Sequence, residues 1–348
     1  MVNKQNLFGL TLEQLKEVVK LLQLPSFTAT QIADWLYKKH VVSISEMTNL
    51  SKKSRELLEE KYTVHLIAPT KVQTSTDGTK KYLYPTQTDN FIEAAFIPDK
   101  ERATLCVSTQ IGCKMNCLFC MTGKQGFQGN LSVAEILNQI RSLPEFEQLT
   151  NVVYMGMGEP FDNLEAVLQS IEILTSDWGY AWSPKRITVS TIGIIPAMNT
   201  FLEESSAHLA VSLHSPFDAE REQIMPIQKK YPLSKIIEDI KKWDIGGQRR
   251  VSFEYIMFKG VNDTPRHAKE LIHLLRGIRC RINLIRFHPI PETPLEGTSM
   301  NGIIEFQNQL KAKGMTVTLR ASRGEDIFAA CGLLSTKELV KKQKETEN

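Results

Sequence analysis

Three cysteines that lie close together in the chain are the residues with the clearest chemical meaning. Cys113, Cys117 and Cys120 stand in the run C-K-M-N-C-L-F-C, whose spacing is C-x3-C-x2-C. A cubane iron–sulfur cluster has four irons and is normally held by four cysteines. Three thiolates would leave one iron with an open position for a small molecule, which is the arrangement of a catalytic metal centre. We therefore predict a catalytic [4Fe-4S] cluster on these three residues.

Two other interpretations of the three cysteines remain open from their spacing. Zinc sites usually show paired C-x2-C units or a histidine a few residues away. No histidine lies between His65 and His208, so a zinc site is the less favoured interpretation. Inert buried thiols, or a disulfide pair, explain three adjacent thiols less well still.

Length and composition are those of a globular protein. The 348 residues are 42% hydrophobic and 23% charged, enough for one large core and a small appended domain. The net charge of +3 does not by itself indicate nucleic-acid binding. We expect no signal peptide and no membrane span, because no apolar run approaches the necessary length. Thiolates that hold iron need a reducing compartment, so we expect a cytoplasmic protein.

Two stretches of different pattern precede the cysteines. Residues 1–63 contain capping boxes that begin at Thr11 and at Thr28, each ahead of an apolar stripe of helical period. This predicts a small helical accessory domain. In residues 64–98 the pattern changes to short strands around the turn at Asp77-Gly, which predicts a β-hairpin extension.

From residue 99 to 339 strands and helices alternate. The predicted strands are 105–109, 151–155, 186–191, 209–214, 251–257, 281–287 and 316–320, and the predicted helices are 133–142, 164–174, 233–243, 265–275 and 302–313. Strands separated by helices form parallel βαβ units. Six units are too few to close an eight-stranded barrel. We therefore predict an α/β fold with a partial (β/α)6 barrel, followed by a charged tail at 340–348.

Polar residues stand where the predicted parallel strands end. They are Glu159, which follows Gly158 after the second strand, Ser190 at the third, Ser212 and His214 on either side of Leu213 at the fourth, and His288 at the sixth. Ligands in such folds bind at the carboxyl ends of the strands. A lone serine or histidine at a strand end is usually structural. Polar residues at several strand ends together predict a ligand site, in which Glu159 can accept from an ammonium group.

Four further residues carry less information on their own. Cys331 follows the last strand, and a single remote cysteine in a cytosolic chain is a candidate nucleophile. Cys106, seven residues before Cys113, would alone be a core residue. Glu93 would be an ordinary strand carboxylate, and Cys280, without a motif partner, a packed or surface thiol.

The residues around the cysteines resemble one branch of a known family. Residues 103–113, A-T-L-C-V-S-T-Q-I-G-C, and residues 120–127, C-M-T-G-K-Q-G-F, are similar to the RlmN branch of the RlmN/Cfr family of radical S-adenosylmethionine (SAM) RNA adenine methyltransferases. The resemblance runs from about Leu7 to Leu339. It implies a radical SAM partial barrel, an RNA-contacting N-terminal domain, a [4Fe-4S] cluster and SAM. The implied targets are carbon 2 of an adenosine in 23S rRNA, at the peptidyl-transferase centre, and of the adenosine next to the anticodon in tRNA.

The resemblance also implies roles for individual residues. SAM would be contacted by Gly158, Glu159, Ser190, Ser212, Leu213, His214 and His288. His288 departs from the family, whose better-known sequences have asparagine there, although both side chains can form hydrogen bonds. Cys331 would carry the methyl group and Glu93 would accept the ring proton. Cys106 would release the product through a transient disulfide with Cys331.

The chemistry of the target explains why a radical route is needed. Carbon 2 of adenine is electron-poor and cannot attack the methyl group of SAM directly. By resemblance, two SAM molecules serve each turnover: one methylates Cys331, and the other yields a radical that abstracts hydrogen from the S-methyl group. The adenine must leave its stack, and RNA loops are the natural targets. We expect a flavodoxin-type reductase system as electron donor and a monomer. Cfr-like methylation at carbon 8, or a non-catalytic zinc-containing RNA-binding protein, remain the alternatives.

Overall fold

A ten-stranded mixed sheet is the central feature of this computed structural model, which describes residues 4–243, 245, 249–291 and 293–336. The strands are β1 (Gln5–Asn6), β2 (Tyr62–Thr63), β3 (Lys71–Thr74), β4 (Lys80–Pro85), β5 (Phe91–Asp99), β6 (Arg102–Cys106), β7 (Gln110–Ile111), β8 (Gly129–Asn130), β9 (Asn151–Tyr154), β10 (Ile187–Thr191), β11 (His208–Ser212), β12 (Val251–Met257), β13 (Cys280–Arg286) and β14 (Val317–Leu319). The predicted charged tail at 340–348 lies outside the described residues.

The α-helices connect these strands or precede them. They are α1 (Leu12–Leu21), α2 (Thr28–Tyr37), α3 (Lys52–Lys61), α4 (Met121–Gln125), α5 (Val133–Arg141), α6 (Leu164–Thr175), α7 (Ile195–Glu204), α8 (Asp218–Ile224), α9 (Leu233–Lys242), α10 (Pro265–Leu274) and α11 (Met300–Lys311).

The order of the strands in the large sheet is β14-β13-β12-β11-β10-β9-β6-β5-β4-β3. From β6 to β14 every neighbouring pair in this order is parallel. The strands β3, β4 and β5 add an antiparallel extension at the β6 edge. This arrangement confirms the predicted α/β partial barrel. Because parallel strands share one direction, their carboxyl ends meet at one edge.

The first parallel strand ends earlier than predicted. The prediction placed it at 105–109, but β6 ends at Cys106, which pairs with Val153 of β9. Beyond that point the backbone N–H groups of Thr109 and Gln110 both donate to the carbonyl of Met157, at 2.9 and 3.2 Å. The chain therefore leaves the sheet before the cysteine motif, and Cys106 occupies the last position of the strand.

Helix starts were predicted with mixed success. The capping box at Thr11 is confirmed, because its hydroxyl accepts from Gln14 N and its N–H donates to the Gln14 side chain. The box at Thr28 is wrong: Thr28 already lies in α2, and its N–H donates to Pro25 O at 2.9 Å. The helix α7 was missed. It begins at Ile195, next to Pro196. Proline is tolerated in the first turn of a helix, because a backbone N–H at that position would have no partner within the helix.

The N-terminal helical unit packs on the barrel through α5. Gly9 has φ +95°, and a Cβ there would lie 2.7 Å from the backbone of Ala134. Only glycine allows this close approach. Arg141 of α5 donates to His40 O at 2.9 Å. The predicted domain boundaries at 63, 98 and 339 stay predictions. No helix among the described residues is long and apolar enough to cross a membrane.

Candidate active site

The loop that contains the three cysteines, residues 112–120, follows β6 and β7 at the carboxyl edge of the sheet and is called the cysteine loop below. Cys113 and Cys117 are buried and Cys120 is partly exposed. Burial raises the pKa of the Cys113 thiol to about 12. Burial also raises the pKa of Cys117, and the neighbouring thiols of Cys120 and Cys113 raise it further. The structure thus brings the three thiols close enough to act on one another.

The three thiols are a donor set that fits an iron–sulfur cluster. In the part of the chain that the structure describes, no group of three or more His, Cys, Asp or Glu side chains is arranged to hold one ion. In a cubane each thiolate binds a different iron, so the sulfur atoms need not converge on one point. Apolar side chains, among them Met115, Phe119 and Phe258, surround the cysteines and limit access of water. The high pKa of a free thiol is no obstacle, because a coordinating metal deprotonates it.

The segment after β9 requires a glycine, because its backbone passes close to Gln110. Gly158 has φ +100°, and a Cβ there would lie 2.6 Å from Cβ of Gln110. The next residue, Glu159, donates its backbone N–H to Gln110 Oε1 at 2.9 Å. This contact fixes the backbone on which the predicted carboxylate stands.

The Glu159 carboxylate is 3% exposed and is oriented by three donors. Its Oε1 accepts from the Thr191 hydroxyl at 2.6 Å and from Phe161 N at 3.1 Å, and its Oε2 accepts from Ile192 N at 3.0 Å. Burial raises the pKa of Glu159 to about 7, against the lowering effect of these hydrogen bonds. A carboxylate has about four lone-pair sites. One site, on Oε2, is therefore left for a ligand donor such as an ammonium group.

The next two strand ends carry the predicted serines and histidine. Ser190 and Ser212 are partly exposed at the ends of β10 and β11. His214 is buried, and its Nδ1 accepts from Ile256 N at 3.0 Å. Burial lowers the pKa of His214 to about 3, and the charge of Arg221 lowers it further. The ring is therefore neutral with its hydrogen on Nε2, which makes Nε2 a donor.

His288 follows β13 and is also buried. Its Nδ1 lies 3.1 Å from Glu325 Oε1, but at an angle that forms no hydrogen bond, and it has no other partner among the described residues. Glu325 pairs with Arg286 through its other oxygen. A buried histidine nitrogen without a hydrogen bond is uncommon in proteins. This nitrogen therefore has hydrogen-bonding capacity that the described residues do not use.

Residues 324–336, which we call the Cys331 segment, lie directly on α4, the helix that follows the three cysteines. Met121 N of α4 donates to Gly332 O at 2.8 Å. The Thr122 hydroxyl donates to Leu334 O at 2.6 Å. Cys331 itself is exposed. The structure therefore brings the predicted nucleophile to the cysteine loop, although the two are far apart in sequence.

Glu93 belongs to the same surroundings. Its Oε2 accepts from Ser335 N, in the Cys331 segment, at 2.9 Å. Its Oε1 forms a buried ion pair with Lys81 Nζ at 2.9 Å. Burial raises the pKa of Glu93, and the Lys81 charge offsets part of that rise. Sequence reasoning missed Lys81, because no motif links it to Glu93.

Cys106 and Cys331 act on each other electrostatically. Burial raises the pKa of Cys106 to about 12, and the Cys331 thiol raises it further, whereas Arg320 lowers it. Arg320 pairs with the buried carboxylate of Glu254 at 3.1 Å. None of the six cysteines, all of which lie among the described residues, forms a disulfide. A transient disulfide stays a prediction.

The β3–β4 hairpin holds the other end of the Cys331 segment. Asp326 accepts from the Ser75 hydroxyl at 2.5 Å and from Thr76 N at 3.1 Å. Asp77 accepts from Gly324 N at 2.9 Å, and this hydrogen bond contributes to lowering the pKa of Asp77 to about 2. The segment is thus attached at both ends, with Cys331 between the attachments.

Fold and site together define a radical SAM enzyme. The family description "Radical SAM superfamily" matches residues 107–275. A second description, "Ribosomal RNA large subunit methyltransferase N-terminal domain", matches residues 5–64. The crystal structure of a radical SAM methyltransferase from Sphaerobacter thermophilus superimposes with a TM-score of 0.87 and 38% identity, over 95% of this chain and 99% of that one.

Relatives that match over nearly their whole length identify the family within this class. A protein of Bacteroides thetaiotaomicron named probable dual-specificity RNA methyltransferase RlmN is 57% identical over 97% of both chains. The dual-specificity RNA methyltransferase RlmN of Syntrophus aciditrophicus is 41% identical over 98% of this chain and 99% of its own. The chain belongs to the RlmN family of radical SAM methyltransferases, which confirms the resemblance seen in the sequence.

Proposed function

We propose that this chain transfers a methyl group from SAM to carbon 2 of adenosine, in 23S rRNA and in tRNA. The names of the relatives support two kinds of RNA substrate, and the description of the N-terminal match supports ribosomal RNA as one of them. The observation that carries the proposal is the hydrogen bond from Met121 to Gly332, which holds the Cys331 segment on the cysteine loop. A methyl-carrying cysteine has to reach that place.

The cofactors would be held by residues that the structure groups at one edge of the sheet. Cys113, Cys117 and Cys120 would hold a [4Fe-4S] cluster, and Gly158, Glu159, Ser190, Ser212, Leu213, His214 and His288 would bind SAM. When bound, the cluster and SAM supply the methyl group and the one-electron cleavage that begins radical chemistry. Glu159 would accept from the SAM ammonium at its remaining Oε2 site, and neutral His214 would donate from Nε2. We propose two SAM molecules per turnover.

The remaining steps belong to residues of the chain. Cys331 Sγ accepts a methyl group, and the same sulfur later joins that carbon to the adenine. Glu93 takes the proton that the adenine ring loses. The Cys106 thiolate then attacks Cys331 Sγ, so that an S–S bond forms while the bond from Cys331 Sγ to the methyl-derived carbon breaks. That carbon takes up a proton, which completes the methyl group, and the unpaired electron of the adduct returns to the one-electron carrier that supplied it. Two electrons and protons from an external dithiol must restore both thiols.

The Lys81 ion pair suits Glu93 to this task. A proton acceptor works best when its pKa lies near the working pH and when it is ionised before the reaction. Burial raises the pKa of Glu93 and thereby increases its affinity for a proton, whereas the Lys81 charge offsets part of that rise and favours the ionised carboxylate. The hydrogen bond to Ser335 links this carboxylate to the methyl-carrying segment.

The conditions of the reaction follow from its chemistry. We propose that the chain works as a monomer in the cytoplasm, where thiols remain reduced. A low-potential donor such as a flavodoxin-type reductase system would supply the electrons.

Mass spectrometry of nucleosides tests the proposal. Anaerobic enzyme with reductant and SAM should convert adenosine to 2-methyladenosine in an rRNA fragment and in unmodified tRNA. Formation of 8-methyladenosine would show the Cfr-like activity instead. An iron-free protein that binds RNA and zinc without modifying RNA would contradict the assignment to this class.

A further inference from the structure

Arg221 is a fully buried arginine whose hydrogen-bond acceptors are all neutral. It lies in α8 and has no exposed surface. Its Nε donates to Leu213 O at 3.1 Å, and its Nη2 donates to Ile192 O at 2.8 Å and to Ser212 O at 2.9 Å. Its Nη1 donates to Gln228 Oε1 at 2.6 Å. These contacts join the ends of β10 and β11, where we place SAM.

One carboxylate, that of the exposed Asp218 at the start of α8, acts on the charge of this arginine from a distance. Within the described ranges, no Asp or Glu oxygen forms a salt bridge with Arg221. Burial lowers the pKa of Arg221 to about 10, so the side chain remains charged at neutral pH. Buried charges in proteins are normally paired, because desolvation of an isolated ion is costly. A buried cation with only neutral acceptors therefore points to an anion that joins it.

The position of α8 identifies where that anion lies. Ile224 O, at the end of α8, accepts from Leu118 N at 3.0 Å, between Cys117 and Cys120. Arg221 stands one turn earlier in the same helix. The thiol of Cys117 is the group that acts most strongly on the Arg221 charge. The helix α8 thus holds the guanidinium group near the thiols that would bind the cluster.

We propose that Arg221 is the fixed counter-charge of the cluster and favours its one-electron reduced state. The inference rests on the proposed function, because it requires the three thiols to hold an iron–sulfur cluster. On reduction, one electron from a low-potential donor adds one negative charge to the cluster. A cation held nearby in apolar surroundings stabilises the reduced form more than the oxidised form, which raises the reduction potential. Arg221 is a positioning residue: it touches neither SAM nor RNA.

Gln228→Glu tests the charge without removing the arginine. Glutamate has nearly the same shape, so it can keep the contacts with Arg221 and with Leu233 N, which now donates to Gln228 Oε1 at 3.1 Å. Its carboxylate would neutralise Arg221 locally. In an anaerobic redox titration of the cluster-loaded enzyme, followed by electron paramagnetic resonance, we expect the ratio of reduced to oxidised cluster at a given potential to fall about tenfold, that is ~59 mV.

Two further variants separate the effect of the Arg221 charge from the effects of net charge and of the Arg221 hydrogen bonds. Gln309→Glu, on the exposed face of α11, makes the same change in net charge far from the site and should leave the potential unchanged. Arg221→Lys keeps the charge but loses the fork of hydrogen bonds, so SAM should bind more weakly while the potential stays near that of wild type.

The outcomes distinguish this inference from the proposed function. A wild-type potential in Gln228→Glu enzyme with full iron content would overturn the counter-charge role and leave the methyltransferase proposal intact. Equal shifts in Gln228→Glu and Gln309→Glu would overturn it as well. A wild-type protein that cannot be loaded with an iron–sulfur cluster would overturn the proposed function itself.

Discussion

Replacing Glu159 by glutamine should weaken SAM binding and remove its pH dependence near neutrality. In wild type, Thr191, Phe161 and Ile192 occupy three of the carboxylate's acceptor sites, and one site on Oε2 remains for the SAM ammonium. Glutamine keeps the shape but turns one oxygen into a donor. A hydrogen bond to a charged group contributes about 1.5–3 kcal/mol, so Kd should rise by about 10- to 150-fold.

The direction of the pH effect follows from the raised pKa of Glu159, which is about 7. Above that pH the carboxyl group is ionised and pairs with the ammonium. Below it, the group must lose its proton on binding, which costs about 1.4 kcal/mol per pH unit. Wild-type affinity should therefore fall about tenfold per unit as the pH decreases below about 7, and the glutamine variant should lack this contribution.

Equilibrium dialysis of SAM against anaerobic, cluster-loaded enzyme from about pH 6 to about pH 8 measures this effect. Thr191→Val is the matched control. It removes one donor from the carboxylate and raises the pKa of Glu159 further, so the pH at which binding tightens should move upward. If Glu159→Gln binds SAM as tightly as wild type, with the same pH profile, the carboxylate does not pair with the ammonium.

Three other substitutions have distinct expected outcomes. Cys113→Ala should abolish iron binding and SAM cleavage, because two thiolates do not hold the cluster; full iron content and full 5′-deoxyadenosine production would rule out its role. Cys106→Ala should accumulate enzyme crosslinked to RNA on denaturing gels, since the adduct forms but is not released from Cys331; normal turnover without crosslink would make Cys106 a core residue only. Lys81→Met should raise the pKa of Glu93 and shift the pH profile of single-turnover RNA methylation upward; an unchanged profile would show that Glu93 is not the proton acceptor.

The residues at the strand ends could be predicted, because their neighbourhood follows from the direction of the strands alone. Parallel strands end at one edge, so polar residues at the ends of successive strands are neighbours whatever the details of packing. Glu159, Ser190 and Ser212 indeed lie at that edge. The capping box at Thr11 could also be predicted, because its two hydrogen bonds depend on residues three apart.

Contacts between distant segments could not be predicted in this way. Ser75 and Asp326 are 251 residues apart, and no periodic pattern relates the hairpin to the Cys331 segment. Arg221 is a second example. Arginine is mostly exposed in proteins, and no pattern in the sequence marked Arg221 as a buried cation.

The most direct measurement is peptide mass spectrometry of Cys331 combined with analysis of the RNA. Enzyme purified without SAM, then incubated anaerobically with methyl-deuterated SAM and no RNA, should carry a deuterated methyl group on Cys331. After addition of reductant and RNA, the same carbon should appear on carbon 2 of adenosine with two of its three deuterium atoms. Cys331→Ala enzyme should keep its cluster but methylate no RNA. Unmodified Cys331 in actively methylating enzyme, or an alanine variant that still methylates RNA, would contradict the role of Cys331 as methyl carrier.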